Sequence, residues 1–218
     1  MWNSPLFHPL IMSGVLLLLS APSGAGKTTV STGLMRVEPN LRRVVTCTTR
    51  PPRAGERDGI DYHFLQPLDF ARRVEAGLFL EHATVYENRY GTLKSSVLAG
   101  LGAGQDVLLA IDVQGAKSVR RLAARDPELE RALVTVFLTP SSLGELEIRL
   151  RSRAQDSPEV IARRLAMAQV ELAEAPHYEY LVVSRSREED LAAVRSILVA
   201  ERWRQTRTEF QWNQGPMT

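Results

Sequence analysis

Eight consecutive residues near the N-terminus have the types and spacing of a loop that binds phosphate. They read Ala-Pro-Ser-Gly-Ala-Gly-Lys-Thr over residues 21–28, directly after a short apolar run. Small residues let backbone N–H groups surround an anion, and a helix beginning there points its positive end at it. Lys27 would reach the β- and γ-phosphates of a nucleoside triphosphate, and Thr28 would hold Mg²⁺. The predicted triphosphate site comprises Ala21, Pro22, Ser23, Gly24, Ala25, Gly26, Lys27, Thr28 and Thr29.

A second segment, residues 46–64, is dense in groups that bind a phosphate monoester. Arg50 and Arg53 flank a Pro-Pro pair, which restricts the backbone between them. Two guanidinium groups at a fixed spacing, with Tyr62 nearby, suit a single phosphate group. These residues alone leave a second interpretation open, a solvated arginine-rich loop.

Asp112 follows an apolar run at residues 107–111, where we expect the carboxyl end of a buried strand. A carboxylate at that edge of a sheet can hold a water molecule on Mg²⁺ or contact a second substrate. The alternative is a cap for the next helix. Residues 112–115 also fit the Asp-x-x-Gly of a GTPase switch. However, none of the four asparagines is followed by lysine, so the base-reading box of a GTPase is missing.

Three arginines in the C-terminal half have a spacing that could gather their charges. Arg149 and Arg153 lie four residues apart and share one helix face. Ser157 and the proline after it predict the start of a new helix. Arg164 lies on that second helix, so two helices can bring three guanidinium groups together. The alternative is an exposed helix with scattered arginines.

Short apolar runs alternate with helical patterns along most of the chain. Strands are predicted at residues 15–19, 107–111, 133–138 and 180–183, and helices at 27–38, 116–124, 143–153, 158–175 and 188 to about 210. This alternation is typical of an α/β fold with a parallel sheet. Residues 45–100 break it, and their alternating stretches predict an insertion with a small, partly antiparallel sheet.

The composition excludes several classes of protein. The 218 residues carry 27 basic and 25 acidic side chains, a net charge of +2, which argues against nucleic acid as a partner. No Lys or Arg precedes Lys27, and the first apolar run is too short to span a bilayer, so we expect neither a signal peptide nor a membrane segment. The lone cysteine, Cys47, permits no intrachain disulfide and indicates a reducing, cytoplasmic location.

The segment at residues 48–64 carries a family resemblance. It matches the pattern T-T-R-x-P-R-x-G-E-x-x-G-x-D-Y-x-F of the guanylate kinases at every fixed position. The chain resembles that family over about residues 13–205, and the Ala-Pro-Ser-Gly form of the loop is frequent in it. The resemblance implies a P-loop kinase fold with a central parallel sheet flanked by helices, a small mixed β insertion that binds GMP, and a helical lid. It also implies Mg²⁺-dependent transfer of the γ-phosphate of ATP to GMP or dGMP in purine nucleotide metabolism.

The resemblance assigns roles to matching residues. Residues implied to bind GMP are Thr46, Arg50, Arg53, Tyr62, Glu81, Tyr90, Thr92 and Asp112, while Lys27, Arg149, Arg153 and Arg164 are implied to be catalytic. Thr28, and Asp112 through water, would hold the metal. Guanine offers two donors on one edge that a carboxylate accepts and adenine lacks, so Glu81 would select guanine.

The chain departs from the family pattern in three places. Ala110 stands where relatives often carry an acid, and Ala154 where glycine is common. Ser184-Arg185 stands where the family usually has Asn-Asp, whose asparagine helps to hold adenine. The selectivity of this chain for ATP over other donor nucleotides is therefore open from the sequence.

The resemblance also divides the chain. Residues 1–11 are expected to form an extension without regular structure. Residues 12–44, 101–141 and 173–210 would form the P-loop core, residues 45–100 the GMP-binding subdomain, and residues 142–172 the lid. Expected partners are the small molecules ATP and GMP, with neither nucleic acid nor membrane, and the oligomeric state stays open.

Two other functions remain open from the sequence. One is a protein-binding module, because scaffold domains that resemble guanylate kinases exist without the phosphate loop. The intact Lys27 and the lid arginines argue against it. The other is a kinase of the same fold acting on AMP or dTMP, which Glu81 and Thr92 disfavour.

Overall fold

The computed structural model describes residues 11–12, 14–85, 87–152 and 157–209. The strands are β1 (Ile11–Met12), β2 (Leu16–Ser20), β3 (Leu41–Arg43), β4 (Cys47–Thr48), β5 (His63–Phe64), β6 (Phe79–Val85), β7 (Asn88–Leu93), β8 (Asp106–Ala110), β9 (Leu133–Thr139), β10 (Tyr180–Val183) and β11 (Thr208–Glu209). The helices are α1 (Lys27–Val37), α2 (Pro67–Glu75), α3 (Lys94–Gly102), α4 (Val113–Ala123), α5 (Pro127–Ala132), α6 (Leu143–Ser152), α7 (Pro158–Leu172) and α8 (Arg187–Arg202). Within the described ranges, no helix is both long and apolar enough to cross a membrane.

The larger sheet has five strands in the order β10-β9-β2-β8-β3, and every neighbouring pair is parallel. The predicted α/β class is therefore confirmed. All five residues of the middle strand, β2, are buried, as expected for a parallel strand covered on both faces. The sequence did not predict β3, because only Leu41 of its three residues is buried and no apolar run marks it.

The side chains of β2 alternate between two apolar cores. Leu17 and Leu19 pack with α1 and α8 on one face of the sheet. Leu16 and Leu18 pack with α3, α4 and α5 on the other. Each fully buried leucine contributes roughly 1.5–3 kcal/mol of transfer free energy. The strand that carries the phosphate loop is therefore held firmly from both sides.

The smaller sheet, in the order β5-β4-β7-β6, contains one parallel and two antiparallel pairs. This is the mixed insertion that the sequence predicted. Its core is formed by Cys47, Phe70 of α2 and Phe79. The sequence did not predict α2 or α3. Although α3 begins inside the segment 45–100, its Val97 and Leu101 pack against the parallel sheet.

Helices α6 and α7 form the predicted helical pair. They share a small apolar core of Leu146, Leu150, Ile161 and Ala168. The Ser157 side chain caps α7 by accepting a hydrogen bond from the N–H of Val160, and a proline follows it at the first helical position. The predicted site residue Arg153 lies outside the described residues.

The C-terminal helix is shorter than predicted. Helix α8 ends at Arg202, and the chain turns through a 3-10 helix (Gln205–Arg207) into β11, which pairs antiparallel with β1. The buried Arg207 side chain fixes this turn through an ion pair with Glu201 and a hydrogen bond to the carbonyl of Leu133. The prediction that residue 11 lies in an irregular extension is wrong, because Ile11 is paired in β1. Residues 1–10 lie outside the described ranges.

Candidate functional site

The loop of residues 21–26 connects the carboxyl end of β2 to the first turn of α1. Gly24 and Gly26 have φ angles of 99° and 106°, a region that glycine adopts without strain and other residues do not. A Cβ atom at Gly24 would also lie 2.8 Å from the side chain of Leu150 in α6. Backbone conformation therefore explains both glycines, and packing against the lid adds a second reason at Gly24.

The side chain of Lys27 joins the loop to the end of strand β8. Its Nζ donates to the carbonyl oxygen of Ile111 at 3.0 Å, and Ser20 Oγ donates to the same oxygen at 3.0 Å. Burial lowers the pKa of Lys27, while nearby Asp112 and Glu171 oppose that shift. A partly desolvated ammonium beside a glycine loop is well placed to bind an anion.

A cavity opens over this loop. Its lining combines eight of the nine predicted loop residues with two carboxylates: Ala21, Pro22, Ser23, Gly24, Gly26, Lys27, Thr28, Thr29, Asp112 and Glu171. The ninth residue, Ala25, is fully buried. Asp112 Oδ1 accepts the N–H of Gly115 at 2.8 Å and so caps α4. The interpretation of Asp112 as a helix cap is therefore confirmed. The same side chain lines the cavity, and its role toward Mg²⁺ or a second substrate stays a prediction.

The arginine-rich turn after β4 brings three of the predicted phosphate ligands together. The Arg50 guanidinium lies 5.5 Å from the ring centre of Tyr62, and the ring centres of Tyr62 and Tyr90 are 6.1 Å apart. Its Nη2 donates to both carboxylate oxygens of Glu56, at 2.8 and 2.9 Å. Arg53 lies on the same turn with an exposed side chain, and its backbone N–H donates to Glu56. Glu56 is thus the anion that Arg50 holds in this structure, and Arg50 lowers the pKa of that carboxyl.

A second cavity lies between the mixed sheet and the end of β8. It is lined by Arg43, Thr46, Tyr62, Glu81, Ala83, Tyr90, Ala110, Ile111 and Asp112. Glu81 and Thr92 face each other across β6 and β7, and Thr92 Oγ1 donates to Glu81 Oε1 at 2.6 Å. Both side chains are buried, and burial raises the pKa of Glu81. A Cβ atom at Gly115 would lie 3.0 Å from Glu81 Oε2, so this glycine leaves room for the carboxylate.

Arg149 of α6 connects the lid to the loop. Its Nη1 donates to Ser184 Oγ at 2.9 Å and to the carbonyl of Ala25 at 3.4 Å, and its Nη2 pairs with Glu145. Ser184 is buried, and its hydroxyl donates to Asp190 at 2.6 Å. Ser184, which departs from the family pattern, is therefore hydrogen-bonded to two side chains of the protein, Arg149 and Asp190.

The sequence analysis assigned no role to two acidic residues that lie at these sites. Glu171 stands seven residues after Arg164 on α7, two helical turns along the same face. This spacing could have identified Glu171 from the sequence, because a residue two helical turns from Arg164 lies on the same side of the helix as that predicted phosphate ligand. Glu56 lies three residues after Arg53 in the turn, where a carboxylate can neutralise the local arginines.

The arrangement of the loop, the strand and the helix defines the class of protein. A glycine loop between the middle strand of a parallel sheet and a helix, with a lysine at the start of that helix, is the site of a P-loop nucleotide-binding protein. The neighbouring mixed sheet and the helical pair complete an α/β kinase fold.

Comparisons with known proteins identify the family. The guanylate kinase family model matches residues 13–201. The chain is 46% identical to the guanylate kinase of Paramagnetospirillum magneticum over 194 residues, covering 89% of this chain and 88% of the relative. It is 47% identical to that of Bradyrhizobium diazoefficiens, with coverage of 89% and 86%. The crystal structure of guanylate kinase from Anaplasma phagocytophilum matches with a TM-score of 0.71 and 32% identity over 91% of this chain and 92% of that one. The chain therefore belongs to the guanylate kinase family and is an enzyme of that family.

Proposed function

We propose that the chain transfers the γ-phosphate of ATP to GMP or dGMP, giving ADP and GDP or dGDP. The observation that carries this proposal is that Asp112 lines both cavities, so the loop cavity and the mixed-sheet cavity meet at one carboxylate. Two adjoining sites, each provided with phosphate-binding groups, suit direct transfer between two bound nucleotides.

Glu81 is the residue that we propose selects guanine. Its buried carboxylate is oriented by Thr92 and can accept the N1–H and N2–H₂ donors of the base. Adenine presents an acceptor and one donor on that edge, so it would leave buried polar groups unpaired. The remaining proposed GMP ligands are Thr46, Arg50, Arg53, Tyr62, Tyr90 and Asp112. None of these roles involves the ribose 2′ position, which is why dGMP is included.

The donor phosphates would be held by the loop backbone and Lys27. Thr28 offers a hydroxyl ligand for Mg²⁺, and Asp112, in the same cavity, would hold the metal through a water molecule. Among the described residues no group of three or more His, Cys, Asp or Glu side chains could hold a metal ion. Substrate phosphates and water would therefore complete the coordination, as is usual for Mg²⁺. The chemistry that Mg²⁺ supplies when bound is neutralisation of the β- and γ-phosphate oxygens.

The chain's own residues would position and neutralise the reacting groups. A phosphate monoester has its second pKa near about 6, so the GMP phosphate attacks as a dianion and needs no general base. Lys27, Arg149, Arg153 and Arg164 would neutralise the charge that spreads over the transferred group. Closure of α6 and α7 would exclude water and suppress ATP hydrolysis.

A coupled ADP-release assay tests this proposal. ATP and Mg²⁺ are supplied with GMP, dGMP, AMP, CMP or dTMP in parallel. We expect turnover with GMP and dGMP only. Turnover with another monophosphate would overturn the guanine assignment, and ATP binding without any turnover would favour a protein-binding module instead.

A further inference from the structure

Glu171 is a carboxylate in a cavity built for anions. It lies near the end of α7 and lines the loop cavity beside Ser23 and Lys27. Burial raises the pKa of Glu171, and the neighbouring Ser23 backbone N–H and Lys27 oppose that rise. The other feature of this side chain is that its Oε2 is buried and has no hydrogen-bond partner among the described residues. Glu171 is therefore only partly satisfied where it stands.

The surroundings of Glu171 resemble those of a bound phosphate. Backbone N–H groups of the loop, such as that of Ser23, and the ammonium of Lys27 are the groups that hold donor phosphates in loops of this kind. A carboxylate and a phosphate oxygen cannot accept the same N–H at once. Two anions placed side by side in a partly desolvated cavity also repel each other.

We propose that the Glu171 carboxylate occupies the place that a donor phosphate takes in the loop cavity, and that ATP or ADP must displace it from beside Ser23 in order to bind. The inference rests on the proposed function, since it requires polyphosphate to bind the loop. Because Glu171 belongs to α7, its displacement moves the end of a lid helix when the donor arrives. Binding of the donor nucleotide is thereby coupled to movement of α7 through the Glu171 side chain.

The test is calorimetric binding of ADP and of inorganic tripolyphosphate, with EDTA present so that no metal takes part. Glu171→Gln keeps the size and an acceptor oxygen but removes the charge. We expect it to bind both ligands about tenfold more tightly than wild type. Glu159→Gln, the same change at an exposed position of α7, is the matched control and should leave both affinities unchanged. Glu171→Ala should shift the affinities in the same direction as Glu171→Gln.

The outcomes separate this inference from the proposed function. A merely structural role would lower the affinity and the melting temperature, so unchanged or weaker binding by Glu171→Gln overturns the inference. The titrations are repeated with Mg²⁺ in place of EDTA, and a loss of affinity by Glu171→Gln in that arm alone also overturns the inference, because it would place Glu171 on the hydration shell of the metal. If wild type binds neither ADP nor tripolyphosphate, the proposed function itself is overturned.

Discussion

The two sites of this enzyme are built in opposite ways. The proposed donor loop is one contiguous segment between β2 and α1, and its proposed phosphate ligands are largely backbone N–H groups. The proposed acceptor site is assembled from side chains on β6 and β7, around β4 and β5, and after β8. Its central contact, between Glu81 and Thr92, depends on the register of two strands.

This difference in construction predicts a difference in how the two sites fail. A backbone cradle tolerates most side-chain changes and depends on a few residues of special type, here Gly24 and Gly26. A site made of side chains depends on each of them separately. Substitutions at the donor site should therefore damage the reaction with every acceptor, whereas those at the acceptor site should change the use of the acceptor and leave the KM for ATP unchanged.

The largest effect is expected for Lys27→Ala. The buried ammonium is the main side-chain cation of the donor cavity, and its loss leaves Asp112 and Glu171 without their neighbouring positive charge. We expect kcat/KM to fall about 10³-fold or more with GMP and dGMP alike. Steady-state kinetics measures this, and Lys117→Ala, on the exposed side of α4, serves as the control. Activity close to wild type would refute the assignment of Lys27.

Arg50→Ala should have the next largest effect. Arg50 lies over the ring of Tyr62, which is 6.1 Å from that of Tyr90, and removing Arg50 leaves the proposed phosphate site without its charge-assisted donors. We expect kcat/KM for GMP to fall about 10²–10³-fold, with the KM for ATP unchanged. Arg57→Ala, an exposed arginine of the same turn, is the control. An equal loss of ATP affinity would contradict the separation of the two sites.

Glu81→Gln should alter selectivity more than rate. A carboxamide offers guanine one acceptor and one mismatched donor, so we expect kcat/KM for GMP to fall about 30-fold. The same group complements adenine, and the ratio of GMP to AMP activity should therefore fall further. Glu75→Gln, at the exposed end of α2, is the control. An unchanged GMP to AMP ratio would exclude Glu81 as the base reader.

The same substitution should stabilise the fold. Burial raises the pKa of Glu81 above that of an exposed glutamate, so the folded state is penalised once the pH rises past the ordinary glutamate pKa of about 4.3. Glu81→Gln should therefore raise the melting temperature modestly at pH 8, and the difference should vanish as the pH falls below the ordinary glutamate pKa. Thermal unfolding across this range measures it. A lower melting temperature of Glu81→Gln at pH 8 would show that burying the ionised Glu81 carboxylate does not destabilise the fold.

The smallest effect is expected for Ser184→Ala. Its hydroxyl accepts from Arg149 and donates to Asp190, so its expected role is to orient the Arg149 guanidinium. We expect kcat to fall about fivefold, the worth of one hydrogen bond, with the KM for GMP unchanged. Ser196→Ala on α8 is the control. A change confined to the KM for ATP would instead place Ser184 in contact with the donor nucleotide.

The contrast between the sites also explains what the sequence could predict. The loop, the parallel strands β2, β8, β9 and β10 and the lid helices are local patterns, and each was predicted from contiguous residues. The acceptor residues are scattered, and only the resemblance to a family brought Glu81, Tyr90 and Thr92 together. The register of β6 against β7 places Glu81 opposite Thr92, and this register cannot be read from the residues of either strand alone.

The elements that the sequence missed have physical reasons of the same kind. Strand β3 is an edge strand with two exposed arginines, so it shows no apolar run. The chain leaves α8 at Arg202 because Arg207 forms a buried ion pair with Glu201, a tertiary contact that overrides a helical pattern. The position of Glu171 in the loop cavity could not be predicted, because it depends on how α7 packs beside the loop.

The most direct test of the account follows the transferred group itself. Wild-type enzyme is incubated with ATP labelled at the γ-phosphate, Mg²⁺ and GMP, and the label is traced to products. Two adjoining sites that exclude water predict that nearly all the label appears in GDP as ADP accumulates. Label recovered as inorganic phosphate, with GMP unchanged, would show that the loop hydrolyses ATP and that the mixed-sheet cavity does not hold the acceptor.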